Sequence, residues 1–165
     1  MKKNILLILL LASFILLTGC KKEEQQVKND AQPAEKFTLL YKGVNIAPGE
    51  KFAQSSIAEE ASYFEIESCA FEEKDKVYTY EGVQVTTNTI NNQETVYSVY
   101  FLNSSVQTPE GVSFTSPKTL MLEKYGNSYD SFGEQYTYIR GKVKLVIMLV
   151  SDTVESIEYK YMLES

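Results

Sequence analysis

The alternation of apolar and polar residues in the second half of the chain predicts an antiparallel meander of three strands. Residues 136–140 and 142–150 are rich in β-branched and aromatic residues and meet at Arg140-Gly141, which is typical of a tight turn. A further turn at Ser151-Asp152 leads into a strand over residues 153–162. The first half has the same pattern, with strands predicted over 76–80, 83–90 and 95–102 and an additional short candidate over 68–71.

Each meander follows a segment in which apolar residues recur at helical spacing. In the second half Ser116-Pro117 is a typical helix start and Gly126 a typical helix end, while in the first half Pro48-Gly49 precedes a weaker helical pattern over residues 50–61. The apolar positions are Leu120, Met121, Leu122 and Tyr125 in the second segment and Phe52, Ala53, Ile57 and Ala61 in the first. The predicted fold class is α+β, with two tandem helix-plus-antiparallel-meander repeats forming one continuous sheet and the helices packed on one face.

Short sequence matches between the two halves of the chain indicate that the halves are repeats. Tyr78-Thr79-Tyr80 recurs as Tyr136-Thr137-Tyr138, and residues 95–99 recur as residues 153–157, in both cases at an offset of 58. A shared offset means that both halves keep the same spacing between these two elements. We therefore predict a first repeat over about 41–102 and a second over about 108–162.

The first 20 residues carry the strongest signal in the chain. Lys2 and Lys3 precede a nearly unbroken apolar run over residues 5–17, which is typical of a secretory signal peptide and short for a membrane span. The run ends in Leu17-Thr18-Gly19-Cys20, which resembles the bacterial lipobox. The resemblance implies cleavage after Gly19 and a diacylglycerol and acyl lipid on Cys20; a plain signal peptide and an uncleaved anchor are the alternatives.

The composition of the segment that follows Cys20 predicts a flexible tether. Residues 21–36 are almost entirely Lys, Glu, Gln, Asn, Asp, Ala and Pro, so they cannot bury enough apolar surface to fold on their own. The predicted organisation is a signal peptide over 1–19, a lipidated cysteine and flexible tether over 20–36, and a folded body over 37–165. The expected location is extracytoplasmic, on the cell membrane.

Composition narrows the chemistry that the body can perform. The 165-residue chain contains no histidine, so serine or cysteine nucleophiles activated by histidine and imidazole metal ligands are excluded. Residues 1–19 contain two lysines and no acidic residue, so the mature chain has 14 basic and 22 acidic residues and a net charge of −8. An acidic chain of this kind argues against nucleic acid as a partner. We expect no metal, no cofactor other than the lipid, and no enzymatic activity.

The order of motifs in the second half resembles a known superfamily. Residues 108–112 contain Gly111-Val112, Tyr125-Gly126 follows near the helix end, and the Tyr-Thr-Tyr strand and residues 154–157 come next. This layout is similar to that of the β-lactamase inhibitor proteins (BLIP) and the SmpA/BamE-type outer-membrane lipoproteins. The resemblance covers residues 106–162 well and 41–102 less well, and it implies the fold and, by analogy, binding of another extracytoplasmic protein.

Cys69 and a cluster of five acidic residues can each be interpreted as structural or as functional. Cys69 is either a reactive thiol or a small buried residue on a strand, and its apolar neighbours favour burial. Five acidic residues between positions 65 and 75 are either a carboxylate site or a solvated edge, and the intervening Lys74 favours the edge. These residues are Glu65, Glu67, Glu72, Glu73 and Asp75.

The chain contains 12 tyrosines, a residue type that covers sheet faces and is enriched at protein interfaces. We predict that Tyr80, Tyr100 and Tyr138 contribute to a binding patch on the outer face of the sheet. The predicted function is a lipid-anchored, non-enzymatic protein–protein interaction module of the cell envelope. The alternative is a lipoprotein that binds a small ligand or glycan in an aromatic groove between the repeats.

Overall fold

A computed structural model of the protein describes residues 36–163, and this range contains ten β-strands, one α-helix and one 3₁₀ turn. The strands are β1 (Leu39–Tyr41), β2 (Val44–Ile46), β3 (Ser62–Ile66), β4 (Asp75–Tyr80), β5 (Val83–Ile90), β6 (Gln93–Phe101), β7 (Asp130–Phe132), β8 (Gln135–Arg140), β9 (Val143–Val150) and β10 (Thr153–Tyr161). Helix α1 spans Lys118–Tyr125, and the 3₁₀ turn spans Gln54–Ser56. The predicted signal peptide, Cys20 and the tether up to residue 35 lie outside the described residues.

Eight of the strands form one antiparallel sheet in the order β3-β4-β5-β6-β10-β9-β8-β7. Strands β3–β6 make a first meander and β7–β10 a second, and the two meanders join where β6 pairs with β10. In that junction Tyr100 lies opposite Glu158 and Val99 opposite Tyr159. The sheet is therefore continuous across the junction, where the alternative function placed a groove between the repeats. Strands β1 and β2 form a separate hairpin.

Six strands begin and end within two residues of their predicted bounds. The turns that connect these strands account for the agreement. The β5–β6 connection contains Asn91 and Asn92, with φ of 53° and 59°, and the β9–β10 connection contains Ser151 and Asp152, with φ of 51° and 59°. Two central residues with positive φ define the type I′ turn, which fits the twist of a two-residue hairpin. The edge strands β3 and β7 were not predicted.

The predicted α+β architecture is wrong, because the described part of the chain is mostly β and has one α-helix rather than two. In place of the first predicted helix, residues 49–52 run beside the start of β6. The N–H of Gly49 donates to the carbonyl of Val96, and the N–H of Phe52 donates to the carbonyl of Glu94. Phe52 and Ile57 are nevertheless buried. The apolar pattern therefore identified these core residues correctly, although the α-helical conformation predicted for them is wrong.

Helix α1 is short and contributes one fully buried side chain, Met121. It ends as predicted at Gly126, whose φ is 79° and whose N–H donates to the carbonyl of Leu122 at 2.8 Å. The Ser116 hydroxyl does not cap the helix but accepts a hydrogen bond from the N–H of Ser113. Across residues 36–163, no helix has the length and apolarity needed to span a membrane.

The core lies on one side of the large sheet, which we call the packed face. It is built from alternate residues of both meanders and is covered by the β1–β2 hairpin and by Met121. The fully buried side chains with the largest volumes are Tyr159, Phe37, Phe101, Leu39, Met121, Leu145, Ile147, Leu149, Ile157, Val83, Val85 and Val96. The opposite side, which we call the open face, carries Tyr100, Lys144, Val146, Glu158 and Lys160 by the same alternation.

A polar clamp at Glu59 fastens the β1–β2 hairpin to the first meander. One carboxylate oxygen of Glu59 accepts the backbone N–H of Glu81 at 2.9 Å, and the other accepts the Tyr41 hydroxyl at 2.7 Å and pairs with Lys42. These contacts, led by the backbone hydrogen bond, lower the pKa of Glu59 to about 2. The same hydroxyl of Tyr41 also lies 2.6 Å from the carbonyl of Glu81.

The lowered pKa of Glu59 predicts a contribution to stability that depends on pH. Because the folded pKa lies below the ordinary value of 4.5, the contribution is present above about pH 4.5 and is lost as the pH falls through about 2. We expect Glu59→Gln to reduce the difference between the free energies of unfolding at pH 6 and at pH 2.5, measured by urea denaturation. The control is Glu72→Gln, at an exposed position. An equal pH dependence in both variants would contradict the clamp.

Candidate interaction surface

The first meander has its open face covered by the segment that connects β3 to β4. The side-chain amide of Asn88 donates to the carbonyls of Glu73 and Lys74 at 3.2 and 3.3 Å, which holds this connection against β5. The ring of Phe71 meets the ring of Tyr97 edge-on at 5.0 Å. As a result Val77 on the open side of β4 is only 2% exposed. We call residues 67–74 the covering segment.

The second meander has no such cover, because β7 and β8 are joined by two residues, Gly133 and Glu134. Its open face and outer edge carry apolar side chains that solvent reaches. Phe132 is 88% exposed, and Ile139 and Val150 are each 54% exposed. We call the group formed by Phe132, Ile139, Val146, Met148 and Val150 the second-meander patch. Groups of exposed apolar side chains mark interaction sites more often than single ones do.

Two lysines border the second-meander patch on the side of the junction. Lys144 in β9 lies directly opposite Lys160 in β10, so their side chains leave the open face at neighbouring points. The ammonium group of Lys160 lies 5.1 Å from the centre of the Tyr97 ring. No ion pair found within residues 36–163 includes either lysine. Like charges placed directly opposite each other destabilise a sheet. The carboxylate of Glu158 belongs to the same face, two residues before Lys160 in β10.

The structure does not bring the three predicted tyrosines together. Tyr80 and Tyr138 are each 4% exposed and lie on the packed face, where they pair with Val83 and Leu145. Burial raises the pKa of Tyr80 and raises that of Tyr138 to about 12. Tyr100 alone lies on the open face, where it is partly exposed.

Tyr97 belongs to the open face and was not among the predicted residues. Strict alternation places Tyr97 and Tyr100 on opposite sides of β6. A β-bulge makes Tyr97 an extra residue between Val96 and Ser98, so that it joins Ser98 and Tyr100 on the open face, where it contacts Lys160. A bulge in the middle of a strand leaves no sequence signal that alternation can detect.

Cys69 and the acidic residues lie on or beside the covering segment. Cys69 is exposed and is not in a disulfide, which differs from the burial favoured by its apolar neighbours, because residues 67–74 form a loop rather than a strand. Glu65, Glu67, Glu72 and Glu73 are exposed, whereas Asp75 is buried and accepts a hydrogen bond from Asn88 at 2.7 Å. Within residues 36–163, no group of three or more potential metal ligands is found.

Two of the cavities found within residues 36–163 lie beside the β1–β2 hairpin and beside the edge strand β7 and its neighbour β8. One of about 370 Å³ is bordered by the hairpin residues Leu40–Lys42 and by residues 105–107. Another of about 440 Å³ is bordered by residues 127–130 together with Thr137 and Ile139. Both are open to solvent along one side.

Comparison of the chain with models of protein families, with curated proteins and with solved structures finds no match. The resemblance to the lipobox and to the BLIP and SmpA/BamE-type proteins therefore stays a prediction. The candidate surface rests on the geometry of the open face alone.

Proposed function

We propose that this protein is a lipid-anchored lipoprotein of the cell envelope that binds another extracytoplasmic protein and performs no catalysis. The observation that carries the proposal is the second-meander patch, an apolar surface on a sheet whose opposite face is fully packed. Residues such as Ile139 and Val150 gain stability when a partner removes them from water, at roughly 25 cal/mol per Å² of apolar area. The lipid on Cys20 and the tether would hold this surface close to the membrane.

The continuity of the sheet favours a protein partner over a small ligand. A ligand-binding site usually is a concave pocket that encloses most of its occupant. Here β6 and β10 are hydrogen-bonded across the junction, and the open face continues from one meander to the other. A sheet face with exposed apolar side chains and a charged border has the layout of a protein–protein interface, with an apolar centre and a polar rim.

Capture of the partner from membranes tests the proposal. The full-length protein and its variants are expressed in the native host, crosslinked in intact cells, and isolated after the membranes are solubilised. We expect Ile139→Glu to reduce the yield of crosslinked protein partner about ten-fold or more, because it places a charge within the patch. The matched control is Leu40→Glu, which introduces the same charge at an exposed apolar residue of the hairpin.

The two variants are compared only when their thermal unfolding matches that of the unaltered protein. Equal yields of the same partner from Ile139→Glu and Leu40→Glu would overturn the assignment of the open face. Capture of no protein by the unaltered chain would overturn the proposed function itself.

A further inference from the structure

The eight-stranded sheet ends in two edge strands, β3 and β7, and only one of them is protected against further pairing. Short edge strands and charged residues discourage the addition of another strand. Strand β7 has three residues and begins with Asp130, so it offers little backbone to a neighbour. Strand β3 has five residues, SYFEI, without proline or lysine. Its outer N–H and C=O groups, which face away from β4, are therefore open to a further strand.

Strand β3 is extended and bare along its whole length. All five of its residues pair with β4 in an unbroken register, and all five are exposed. Three of the exposed side chains are large and apolar: Tyr63 is 49% exposed, and Phe64 and Ile66 are each 46% exposed. A strand that is already fixed on one side loses little conformational freedom when a second strand joins its other side. The chemistry of this edge, a row of unpaired backbone groups between apolar side chains, therefore fits another β-strand.

The side chains of β3 are divided between the two faces of the sheet. The Tyr63 ring lies 5.1 Å from the ring of Tyr78 on the packed face, and the Tyr63 hydroxyl donates to a carboxylate oxygen of Glu65 at 2.5 Å. Phe64 lies on the open face, where it is opposite Val77. The one charged side chain of β3, that of Glu65, is thus on the packed face, and the centre of the strand on the open face is an aromatic ring.

An antiparallel pairing of β3 with β3 of a second copy is self-complementary. The register in which all five residues pair places Phe64 opposite its own copy on a two-fold axis. It also places Tyr63 of each chain opposite Glu65 of the other, so that hydroxyl and carboxylate groups lie side by side across the interface. Opposite aromatic side chains stabilise antiparallel strands. A register centred on Glu65 would instead place two carboxylates directly opposite each other, which is destabilising.

We propose that strand β3 pairs with β3 of a second copy of this chain, so that two eight-stranded sheets join into one. The same surface is used by both copies, so the interface closes into a dimer and does not extend into a fibre. Opposite residues of an antiparallel pair point to the same face, so both open faces lie on the same side of the dimer. The pairing does not involve the second-meander patch and is therefore independent of the proposed partner.

Single-cysteine variants test the pairing in membranes. Phe64→Cys is introduced into the full-length protein with Cys69→Ser, and the membranes are treated with copper phenanthroline. Opposite residues of an antiparallel pair have Cα atoms about 4.5–5.5 Å apart, a separation that a disulfide can span. We expect most of the Phe64→Cys protein to become a disulfide-linked species of twice the monomer mass. The Cys69→Ser protein alone should give none, because in the proposed lipoprotein the sulfur of Cys20 carries the lipid.

Two further cysteines serve as controls for collision and for register. Leu40→Cys introduces the same thiol in the hairpin, at a side chain that is 63% exposed, so random collisions would crosslink it at least as readily as Phe64→Cys. Glu65→Cys lies two positions along the strands from its own copy, beyond the reach of a disulfide. Each control should give at least about five-fold less dimer than Phe64→Cys.

A charge variant tests whether the dimer forms without a crosslink. We expect sedimentation velocity of the full-length protein in detergent to show a dimer that increases with concentration. Phe64→Lys places two ammonium groups opposite each other and should raise the dissociation constant about ten-fold or more, whereas Leu40→Lys should leave it unchanged. Thermal unfolding of each variant confirms that it is folded before it is compared.

Equal crosslinking of Phe64→Cys and Leu40→Cys would overturn the pairing of β3, and so would equal dissociation constants for Phe64→Lys and Leu40→Lys. Crosslinking of Phe64→Cys to a protein of another mass would overturn the second copy as the occupant of this edge. Crosslinking of Glu65→Cys as strong as that of Phe64→Cys would overturn the register centred on Phe64.

Discussion

Replacement of Cys20 by serine is expected to abolish lipid attachment and to leave residues 1–19 on the protein. The thioether bond requires the sulfur of Cys20, and in the lipobox resemblance cleavage before Cys20 follows lipidation. Two or more acyl chains anchor a protein stably, whereas a single chain binds membranes only marginally. Incorporation of labelled palmitate should therefore fall to background, and a precursor about 2 kDa larger than the mature protein should accumulate.

Cys69 supplies the matched control for this experiment. It is the other cysteine of the chain, it is exposed, and it lies in the covering segment far along the sequence from the signal peptide. Cys69→Ser should keep both the label and the mature size. A Cys20→Ser protein that is still labelled and still processed would refute the lipoprotein assignment, and a plain signal peptide would then account for residues 1–19.

Six of the eight strands of the two meanders could be predicted from the sequence because local signals determine them. Alternation defines which residues face the core, and turn residues that tolerate positive φ, such as Asn91 and Asn92, define where strands end. Gly82 adds a close approach to its positive φ of 85°, because a Cβ there would lie 2.5 Å from the Ser105 hydroxyl oxygen. Alternation and the positive φ of turn residues act within a few residues and are therefore visible in the sequence, whereas the approach of Gly82 to Ser105 is not.

The conformation of residues 50–61 could not be predicted in the same way. Their apolar spacing suits a helix, but the backbone groups of Glu50 and Phe52 are hydrogen-bonded to Val96 and Glu94 of β6, more than 40 positions later in the chain. The covering segment is likewise held by contacts with a strand that comes later in the chain, β5. The edge strand β7 pairs with its neighbour β8 but has only three residues, which is too short for a clear alternation. Tertiary hydrogen bonds override a weak local preference, and one sequence cannot show them.

In the candidate site, too, features determined by neighbouring residues could be predicted from the sequence, whereas features determined by distant contacts could not. The sequence identified tyrosine as a surplus residue type, and alternation placed Tyr100 on the outer face. It did not reveal that Tyr80 and Tyr138 are buried under the hairpin and beside helix α1, or that a bulge moves Tyr97 to the open face. The bare apolar area became visible only when the covering segment was found on one meander and not on the other.

Phe37 is expected to be the most costly single aromatic side chain to remove at the start of the folded body. It is 1% exposed, its ring stacks on Tyr159 at 5.5 Å, and it meets Tyr125 edge-on at 6.1 Å. The guanidinium carbon of Arg140 lies 4.3 Å from the centre of the Phe37 ring, and Arg140 is in turn paired with Glu110 at 2.6 Å. Phe37 thus fills the packed face over β10, next to the junction of the two meanders.

Truncation of this side chain should leave a cavity that the surrounding rings cannot close. We expect Phe37→Ala to lower the free energy of unfolding by about 3–5 kcal/mol, measured by urea denaturation at pH 7. Phe132→Ala removes the same atoms from a side chain that is 88% exposed, and it should change the free energy of unfolding by less than about 0.5 kcal/mol. Similar losses in the two variants would mean that residue 37 does not belong to the core and that the folded body begins later in the chain.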